Sequence, residues 1–146
     1  AKNIAKGKCS AAYWAGCSAG EVFCAPSALV GSIGVVVSAV DQSERWKTEG
    51  LESLVFRSAD LKAIGHTGEK WRDTWKANVQ KSVEECGEKF FAHVRNQRGG
   101  DLTDECFSGD YWSGEKLLQL GLVDGFADTL EDFVDIVNIR MEDESF

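Results

Sequence analysis

One long stretch with helical periodicity does most to limit how this chain can fold. Between residues 69 and 98 there is no proline, and apolar side chains recur at steps of three or four residues. These side chains are Trp71, Trp75, Val79, Val83, Cys86, Phe90 and Val94. Because an α-helix turns once in about 3.6 residues, this spacing puts them all on one face. The stretch therefore predicts a long amphipathic helix that packs on a core built by the rest of the chain.

Shorter segments on both sides of this helix predict strands that alternate with further helices. Strands are predicted at 21–25, at 31–40, where β-branched residues indicate burial on both faces, and at 51–58. A helix rich in small residues should begin at Ser10, a second should start at the capping pattern of Asp41, and residues 58–68 should form a loop. A short strand, a turn and a short helix capped at Ser113 are expected within 104–121, and a last helix over 129–141. The alternation predicts the α/β class in a single domain over residues 1–146, with an acidic tail at about 140–146.

The charge of the chain is acidic and unevenly distributed. Lys and Arg number 16 against 24 Asp and Glu, which gives a net charge of −8. Eight of the acidic residues, but only one basic residue, Arg140, lie within 124–146. Because nucleic-acid binding depends on clustered Lys and Arg facing phosphates, we expect no nucleic-acid partner. We interpret the acidic end as a solvated helix face followed by a frayed tail.

Cysteine use and hydropathy exclude several further classes of protein. The five cysteines, at positions 9, 17, 24, 86 and 106, are odd in number, and none forms a C-x-x-C pair. This argues against a zinc site and against a disulfide framework, so we expect no metal and no cofactor. The longest apolar run, at 28–40, is too short to cross a bilayer and is broken by Gly and Ser. No membrane span is therefore expected in this chain.

The reactive side chains leave several interpretations open when they are taken one at a time. Ser10, in "KCSAAYW", suits a helix cap, and it lacks the flanking glycines of a G-x-S-x-G nucleophile elbow. A Ser-His-Asp triad made of Ser10, His66 and Asp60 would rest on residue type alone. The sequence contains no P-loop and no G-x-G-x-x-G, and "GSIG" at 31–34 is most simply a tight turn. The residues by themselves do not choose between a structural serine and a nucleophile.

Three segments in a fixed order resemble one family of proteases. They are "SAAYW" at 10–14, Pro26 followed by "GSIGV" at 31–35, and "FSGDYWSGEKLLQLGLVD" at 107–124. In this order and spacing they resemble the signal peptide peptidase A family of serine proteases, including its short phage capsid-assembly relatives. The similarity runs over roughly residues 4–130, also through "VDQSERWKTEGL" and "SADLKAIG". It implies the Clp protease/crotonase-like fold of repeated ββα units.

The resemblance implies a Ser-Lys dyad in place of a triad. Ser10 matches the nucleophile, Lys62 in "SADLKA" matches the general base, and Ser32 in "GSIG" matches the serine that orients this lysine. Ala11 and Gly31 match positions that face the oxyanion or the substrate. The separations of 22 residues from Ser10 to Ser32 and 52 from Ser10 to Lys62 fit the spacing of the family.

The chemistry of such a dyad sets conditions on its surroundings. A serine hydroxyl is a weak nucleophile until a base takes its proton, and a lysine amine accepts a proton only when it is neutral. Apolar walls that dehydrate the amine favour its neutral form, whereas a nearby carboxylate opposes it, so Asp60 is predicted to point away from Lys62. Lys47 and Lys70 are the nearest rivals, and both are expected to be solvated. At a helix start, the Ala11 N–H would face the developing oxyanion.

The resemblance also implies parts that this sequence does not include. Family members place the first units of the fold, and a glycine pair that supplies the second oxyanion N–H, before the nucleophile, whereas nine residues precede Ser10 here. We expect a partial chain that lacks these N-terminal units, with the site completed by another segment or another subunit. Members of the Clp protease/crotonase superfamily form rings. The resemblance therefore implies a homo-oligomer, with the helix of 69–98 as a candidate interface.

Two functions follow from the resemblance, with a third that is more distant. The first is a serine endopeptidase with a polypeptide substrate, either signal-peptide remnants or phage prohead and scaffold proteins. The second is a catalytically incompetent assembly or scaffold subunit that keeps the protease fold, and the third is a crotonase-like binder of acyl-CoA. The expected location is the cytoplasm, the soluble domain of a membrane-associated protease, or a phage prohead.

Overall fold

The computed structural model describes residues 2–5, 8–99 and 101–143. Contacts divide the chain into a larger unit, residues 1–35 with 87–146, and a smaller unit, residues 36–86. The predicted single domain over 1–146 stays a prediction, because two compact units can belong to one domain. Of the acidic tail predicted at about 140–146, residues 140–143 belong to the last helix and residues 144–146 lie outside the described residues.

Short strands and five helices make up the described regular structure. The strands are β1 (Lys2–Ala5), β2 (Lys8–Cys9), β3 (Glu21–Cys24), β4 (Val30–Gly31), β5 (Tyr111–Trp112) and β6 (Gly125–Phe126). The helices are α1 (Ala11–Gly16), α2 (Ser43–Thr48), α3 (Asp73–Arg98), α4 (Glu115–Gln119) and α5 (Leu130–Asp143), with one 3-10 turn at Asp104–Phe107. Strands alternate with helices along the larger unit, which confirms the α/β class.

Two small sheets in the larger unit position the segment around Ser10. One is parallel throughout, in the order β1-β3-β6. In the other, β4 lies between β2, to which it is parallel, and β5, to which it is antiparallel. The pairing aligns Cys9 with Gly31 and Gly31 with Tyr111. The residue after β2 and the residue after β4 therefore leave the sheet side by side, and these residues are Ser10 and Ser32.

The core of the larger unit collects apolar side chains from every part of its sequence. Its fully buried members include Tyr13, Cys17, Cys24, Ile33, Val94, Cys106, Leu117 and Leu122. The three cysteines among them are free thiols, as expected for small apolar core residues. Phe90 and Val94 are the contribution of α3 to this core. The predicted apolar face of the long helix is thus confirmed over its second half, except that Cys86 is exposed and Gly87 is buried instead.

The long helix begins later than its apolar spacing predicts. Residues 69–72 precede α3 without regular structure, and the Glu69 N–H closes a turn by donating to His66 O at 3.0 Å. The Trp71 N–H donates to Asp41 Oδ2 at 3.1 Å, which is a tertiary bond and not a helical one. An external acceptor for the N–H of residue 71 offers the backbone an alternative to the helix.

The strand predicted over 31–40 is wrong beyond Gly31. Residues 32–42 pair with no strand among the described residues, and Val35, Val36, Val37 and Val40 are exposed. The backbone turns out of the extended conformation at Gly31, with φ 133°, and at Ser32, with φ 50°. Since residues 51–57 also form no strand, both predictions mistook β-branched composition for strand pairing.

The remaining local predictions differ from the structure by a residue or two. The strand at 21–25 is β3, the loop at 58–68 is a run of turns, and the helix after Asp41 is α2, whose Ser43 N–H donates to Asp41 Oδ1 at 2.9 Å. The helix expected at Ser113 begins after Gly114 without a side-chain cap. The last helix is α5, on which the apolar side chains of Leu130 and Val134 are exposed.

The smaller unit has its own centre at the fully buried Trp75. The Arg57 and Arg72 guanidinium carbons lie 5.0 and 4.4 Å from the centroid of its ring. Glu69 forms ion pairs with both arginines, which neutralises much of the charge held against the indole. Trp75 is therefore flanked by two cation–π contacts, of which that of the mostly buried Arg57 is worth about 1 kcal/mol or more and that of the half-exposed Arg72 less.

Candidate active site

Ser10 occupies a sharp turn between β2 and α1. Its φ is 53° and its ψ is −126°, a backbone conformation that residues other than glycine rarely adopt. Its N–H donates to Gly31 O at 2.9 Å, and its carbonyl accepts from the N–H groups of Tyr13 and Trp14 at 2.9 and 3.0 Å. The hydroxyl makes no capping bond to the helix. Ser10 is therefore in cap position without acting as a cap.

Gly31 and Ser32 lie beside this turn at the end of β4. A Cβ at Gly31 would lie 2.6 Å from Asp110 O and 2.9 Å from Tyr111 Cα, so only glycine fits. The Ser32 N–H donates to Asp110 O at 2.6 Å, while Gly31 O accepts from the Ser10 N–H. These bonds occupy the Ser32 N–H and Gly31 O. The Ser32 hydroxyl is therefore the group of this turn that could take part in a reaction.

Backbone strain concentrates at Ser10 and Ser32, which the family motifs predict as site residues, and next to Lys62. Among the described residues, the non-glycine residues with positive φ are Ser10, Ser32 and Ala63, and Ala63 follows Lys62 directly. Such conformations cost of order 1–3 kcal/mol each and cluster at functional sites. This coincidence is independent of the sequence motifs that selected the same positions.

Lys62 lies in the smaller unit, in a turn where its N–H donates to Ala59 O at 2.9 Å. Its side chain is exposed. Asp60, two residues earlier, accepts from Arg72 Nη1 at 3.0 Å. The structure thus brings Ser10, Ala11, Gly31 and Ser32 together in the larger unit and places Lys62 in the smaller one.

The rival groups for acid–base chemistry are occupied elsewhere. Lys47 pairs with Glu44 at 2.8 Å. The imidazole of His66 contacts Thr67 O at 3.3 Å, while Asp60 pairs with Arg72. The alternative triad of Ser10, His66 and Asp60 therefore gains no support from these contacts.

A partly buried polar network next to Ser10 was not predicted from the sequence. The Tyr13 hydroxyl donates to Leu122 O at 2.7 Å, and Arg98 donates to Asp124 through two nitrogens at 2.7 and 2.9 Å. Burial raises the pKa of Tyr13 well above its usual range, which keeps the phenol protonated as a donor. Of these residues, Asp124 had a visible signal, because it ends the third segment of the family pattern.

The charges of this network support each other. Burial alone would raise the pKa of Asp124, but hydrogen bonds from Arg98 and the Val22 N–H lower it overall. Burial likewise acts to lower the pKa of Arg98, but the hydrogen bond to Asp124 and the negative charges around the guanidinium together raise it overall. Both groups are therefore held in their charged forms.

Comparison with known proteins identifies the family. The family model described as peptidase family S49 matches residues 3–141. The chain belongs to peptidase family S49. The S49 chain is 28% identical to the probable protease SohB of Haemophilus influenzae, over 86% of its own length and 35% of that protein. The resemblance to the signal peptide peptidase A family is thereby confirmed.

Other relatives of this S49 chain carry a different description. Proteins described as Na(+)/H(+) antiporter NhaA from Brucella melitensis and Brucella abortus are each 32% identical to it. The matches cover 83% and 82% of this chain but 17% and 16% of those proteins. The chain thus spans about a sixth of the antiporters and about a third of SohB. None of the helices that the structure describes is long and apolar enough to cross a membrane.

Proposed function

We propose that this chain carries the reactive residues of a serine endopeptidase that cleaves polypeptides through a Ser10–Lys62 dyad. The observation that carries the proposal is the strained turn at Ser10, which frees the hydroxyl from capping in a chain of peptidase family S49. A serine held between a strand and a helix with an unused hydroxyl is suited to nucleophilic attack.

The proposed reaction proceeds through an acyl-enzyme. Ser10 Oγ attacks the carbonyl carbon of the scissile peptide while the neutral Lys62 amine takes the hydroxyl proton. The tetrahedral intermediate collapses, the C–N bond breaks, and the lysine ammonium returns the proton to the leaving amine. Water then hydrolyses the ester by the same base, which releases the carboxylic acid and restores Ser10.

The neighbours of Ser10 have supporting roles in this scheme. The Ala11 N–H, first in α1, would donate to the oxyanion, since the first N–H groups of a helix have no partner within it. Ser32 would hydrogen-bond the Lys62 amine and orient it. Gly31 keeps the backbone of β4 close to β5 and, by resemblance, would face the bound peptide.

A catalytically incompetent scaffold subunit is the second candidate. The observation that favours it is the exposure of Lys62, because a lysine that serves as a general base is usually dehydrated by apolar walls. Under the protease proposal, bound peptide or a neighbouring copy in the implied ring dehydrates this amine. We further propose the Clp protease/crotonase-like fold and a homo-oligomeric ring, by resemblance.

Active-site labelling distinguishes the two candidates. The full chain is treated with a fluorophosphonate probe, together with its Ser10→Ala and Lys62→Ala variants. The protease proposal expects labelling of the wild type, none of Ser10→Ala, and at least about a hundredfold slower labelling of Lys62→Ala. Ser27→Ala and Lys47→Ala, which change exposed residues outside the proposed site, serve as matched controls and should label normally.

The outcomes separate the parts of the proposal. A folded wild-type chain that is not labelled supports the scaffold candidate. Labelling that survives Lys62→Ala but not Ser10→Ala keeps the nucleophile and rejects the base.

A further inference from the structure

Tyr13 connects the turn that carries Ser10 with a distant part of the chain. Its N–H donates to Ser10 O at 2.9 Å. Its ring is fully buried, and its hydroxyl donates to Leu122 O at 2.7 Å. One residue thus contacts the Ser10 turn through its backbone and residue 122 through its side chain.

Residue 122 is a fixed point in the larger unit. Leu122 is fully buried, and its N–H donates to Leu117 O at 3.0 Å. On either side of it, Arg98 donates through Nε to Gly121 O at 3.1 Å and pairs with Asp124 through both terminal nitrogens.

Asp124 connects the segment around Leu122 to the parallel sheet. Its Oδ2 accepts from the Val22 N–H at 2.6 Å, and its own N–H donates to Val22 O at 2.8 Å. Because Val22 belongs to β3, the segment 121–124 is tied to both α3 and the sheet. Tyr13 therefore bonds to a segment that is itself held by α3 and by the parallel sheet.

The turn at Ser10 needs such support. Helix α1 has only six residues, and so short a helix is not stable by itself. A positive φ at a serine persists only where surrounding contacts determine it. The Gly31 O bond holds the Ser10 N–H on one side, and α1 holds its carbonyl on the other.

We propose that Tyr13 is a positioning residue for Ser10: its hydroxyl, bonded to Leu122 O, fixes the first turn of α1 and with it the conformation that presents the serine. This inference rests on the proposed role of Ser10 as nucleophile. The hydroxyl adds a directional contact to the packing of the ring, because it bonds one particular carbonyl, Leu122 O.

The test removes the hydroxyl alone. Tyr13→Phe in the full chain should lower the maximal rate of inactivation by the fluorophosphonate at least about tenfold and leave the probe's apparent binding constant within about twofold. The matched control is Val94→Ala, which opens the same core at a fully buried residue outside the network. This control should lose stability but keep its inactivation rate within about twofold. An unchanged rate in Tyr13→Phe, or an equal fall in Val94→Ala, overturns the proposal.

A second variant and a second measurement keep the test decisive. Asp124→Asn loosens residue 122 while leaving Tyr13 in place, so it should also slow inactivation. A normal rate in a folded Asp124→Asn chain contradicts the inference.

Amide hydrogen exchange tests the same inference without requiring activity. In Tyr13→Phe the amides of residues 13 and 14 should exchange at least about tenfold faster, while those of α3 stay unchanged. Unchanged exchange at residues 13 and 14 rejects the anchor, whereas a wild type that resists labelling rejects only the proposed function.

Discussion

Gly31 meets the backbone of β5 at a distance that no side chain tolerates. Replacement by alanine would place a Cβ 2.6 Å from Asp110 O at a φ of 133°, so both the contact and the backbone oppose it. We expect Gly31→Ala to lower the free energy of unfolding by about 3 kcal/mol, measured by urea denaturation.

Gly50 is a matched control for this substitution. It also has positive φ, at 73°, but nothing lies within 4 Å of its Cβ position. Gly50→Ala should therefore cost only about 1 kcal/mol. Equal losses in the two variants would show that the approach of β5 does not matter.

The ion pair of Asp124 with Arg98 is sensitive to acid. Its pKa is held below the usual carboxyl value overall, since the bonds from Arg98 and Val22 outweigh burial. A carboxyl with a lowered pKa stabilises the fold above the unfolded value of about 4 and loses that effect as the pH falls through its folded value.

Asp124→Asn tests this sign. At pH 7 the substitution leaves Arg98, whose side chain is 5% exposed, without its counter-charge. We expect a loss of about 2 kcal/mol in the free energy of unfolding, reduced from a fully buried pair because Asp124 is partly solvated. The difference from wild type should shrink between pH 4 and pH 2.5. A difference that stays constant over this range would contradict the assignment.

The residues of the site differ in how far the sequence could predict them. Ser10 and Ser32 were selected by motif, and their strained conformations agree with that choice. The role of Tyr13 was not predicted, because nothing local in the sequence indicates that its hydroxyl meets a carbonyl 109 residues away. Bonds that depend on tertiary contacts leave no periodic signal in the sequence.

Helix α5 shows how a single element secures its own start. The Thr129 N–H donates to Asp132 Oδ2 at 2.9 Å, and the Asp132 N–H donates to Thr129 Oγ1 at 3.1 Å. This reciprocal pair satisfies two N–H groups that the helix itself leaves unused.

Thr129→Ala should therefore destabilise the chain by about 1 kcal/mol, observed as a lower urea midpoint. Thr74→Ala, at an exposed position in the first turn of α3, is the matched control and should cause no loss. A similar midpoint for both variants would mean that the cap contributes nothing to stability.

Among the elements, helices were predicted better than strands. The apolar spacing over 73–98 reflects the geometry of one helix, so it can be recognised in the sequence directly. The valines of 35–40 have the composition of a strand, but a strand also needs a partner with free backbone groups. In the described chain β4 ends at Gly31, and these valines remain exposed.

At the scale of the whole molecule, the implied ring predicts that some exposed apolar side chains mediate association. Phe56 is 94% exposed, so its replacement should not affect the stability of a single copy. We expect Phe56→Ser to lower the association state seen by sedimentation, with an unchanged urea midpoint.

Leu130→Ser, at an exposed leucine of α5 in the larger unit, is the matched control and should sediment like wild type. Identical sedimentation of the Phe56→Ser and wild-type chains would exclude this phenylalanine from any interface between copies.

The family and the class of the fold followed from the sequence because they depend on ordered motifs and on alternation of elements. The division at residues 35–36 and 86–87 did not, since the second boundary lies within the uninterrupted helix α3. A boundary inside a helix has none of the glycine, proline or polar residues that mark a linker.

The unpaired valines also affect how this protein behaves in concentrated solution. Residues 35–40, "VVVSAV", contain no charge and no proline, and the side chain of Val36 is 86% exposed. Short uncharged segments with this composition form cross-β aggregates when nothing covers them. We therefore expect self-association of this segment to limit storage of the purified chain before unfolding of the core does.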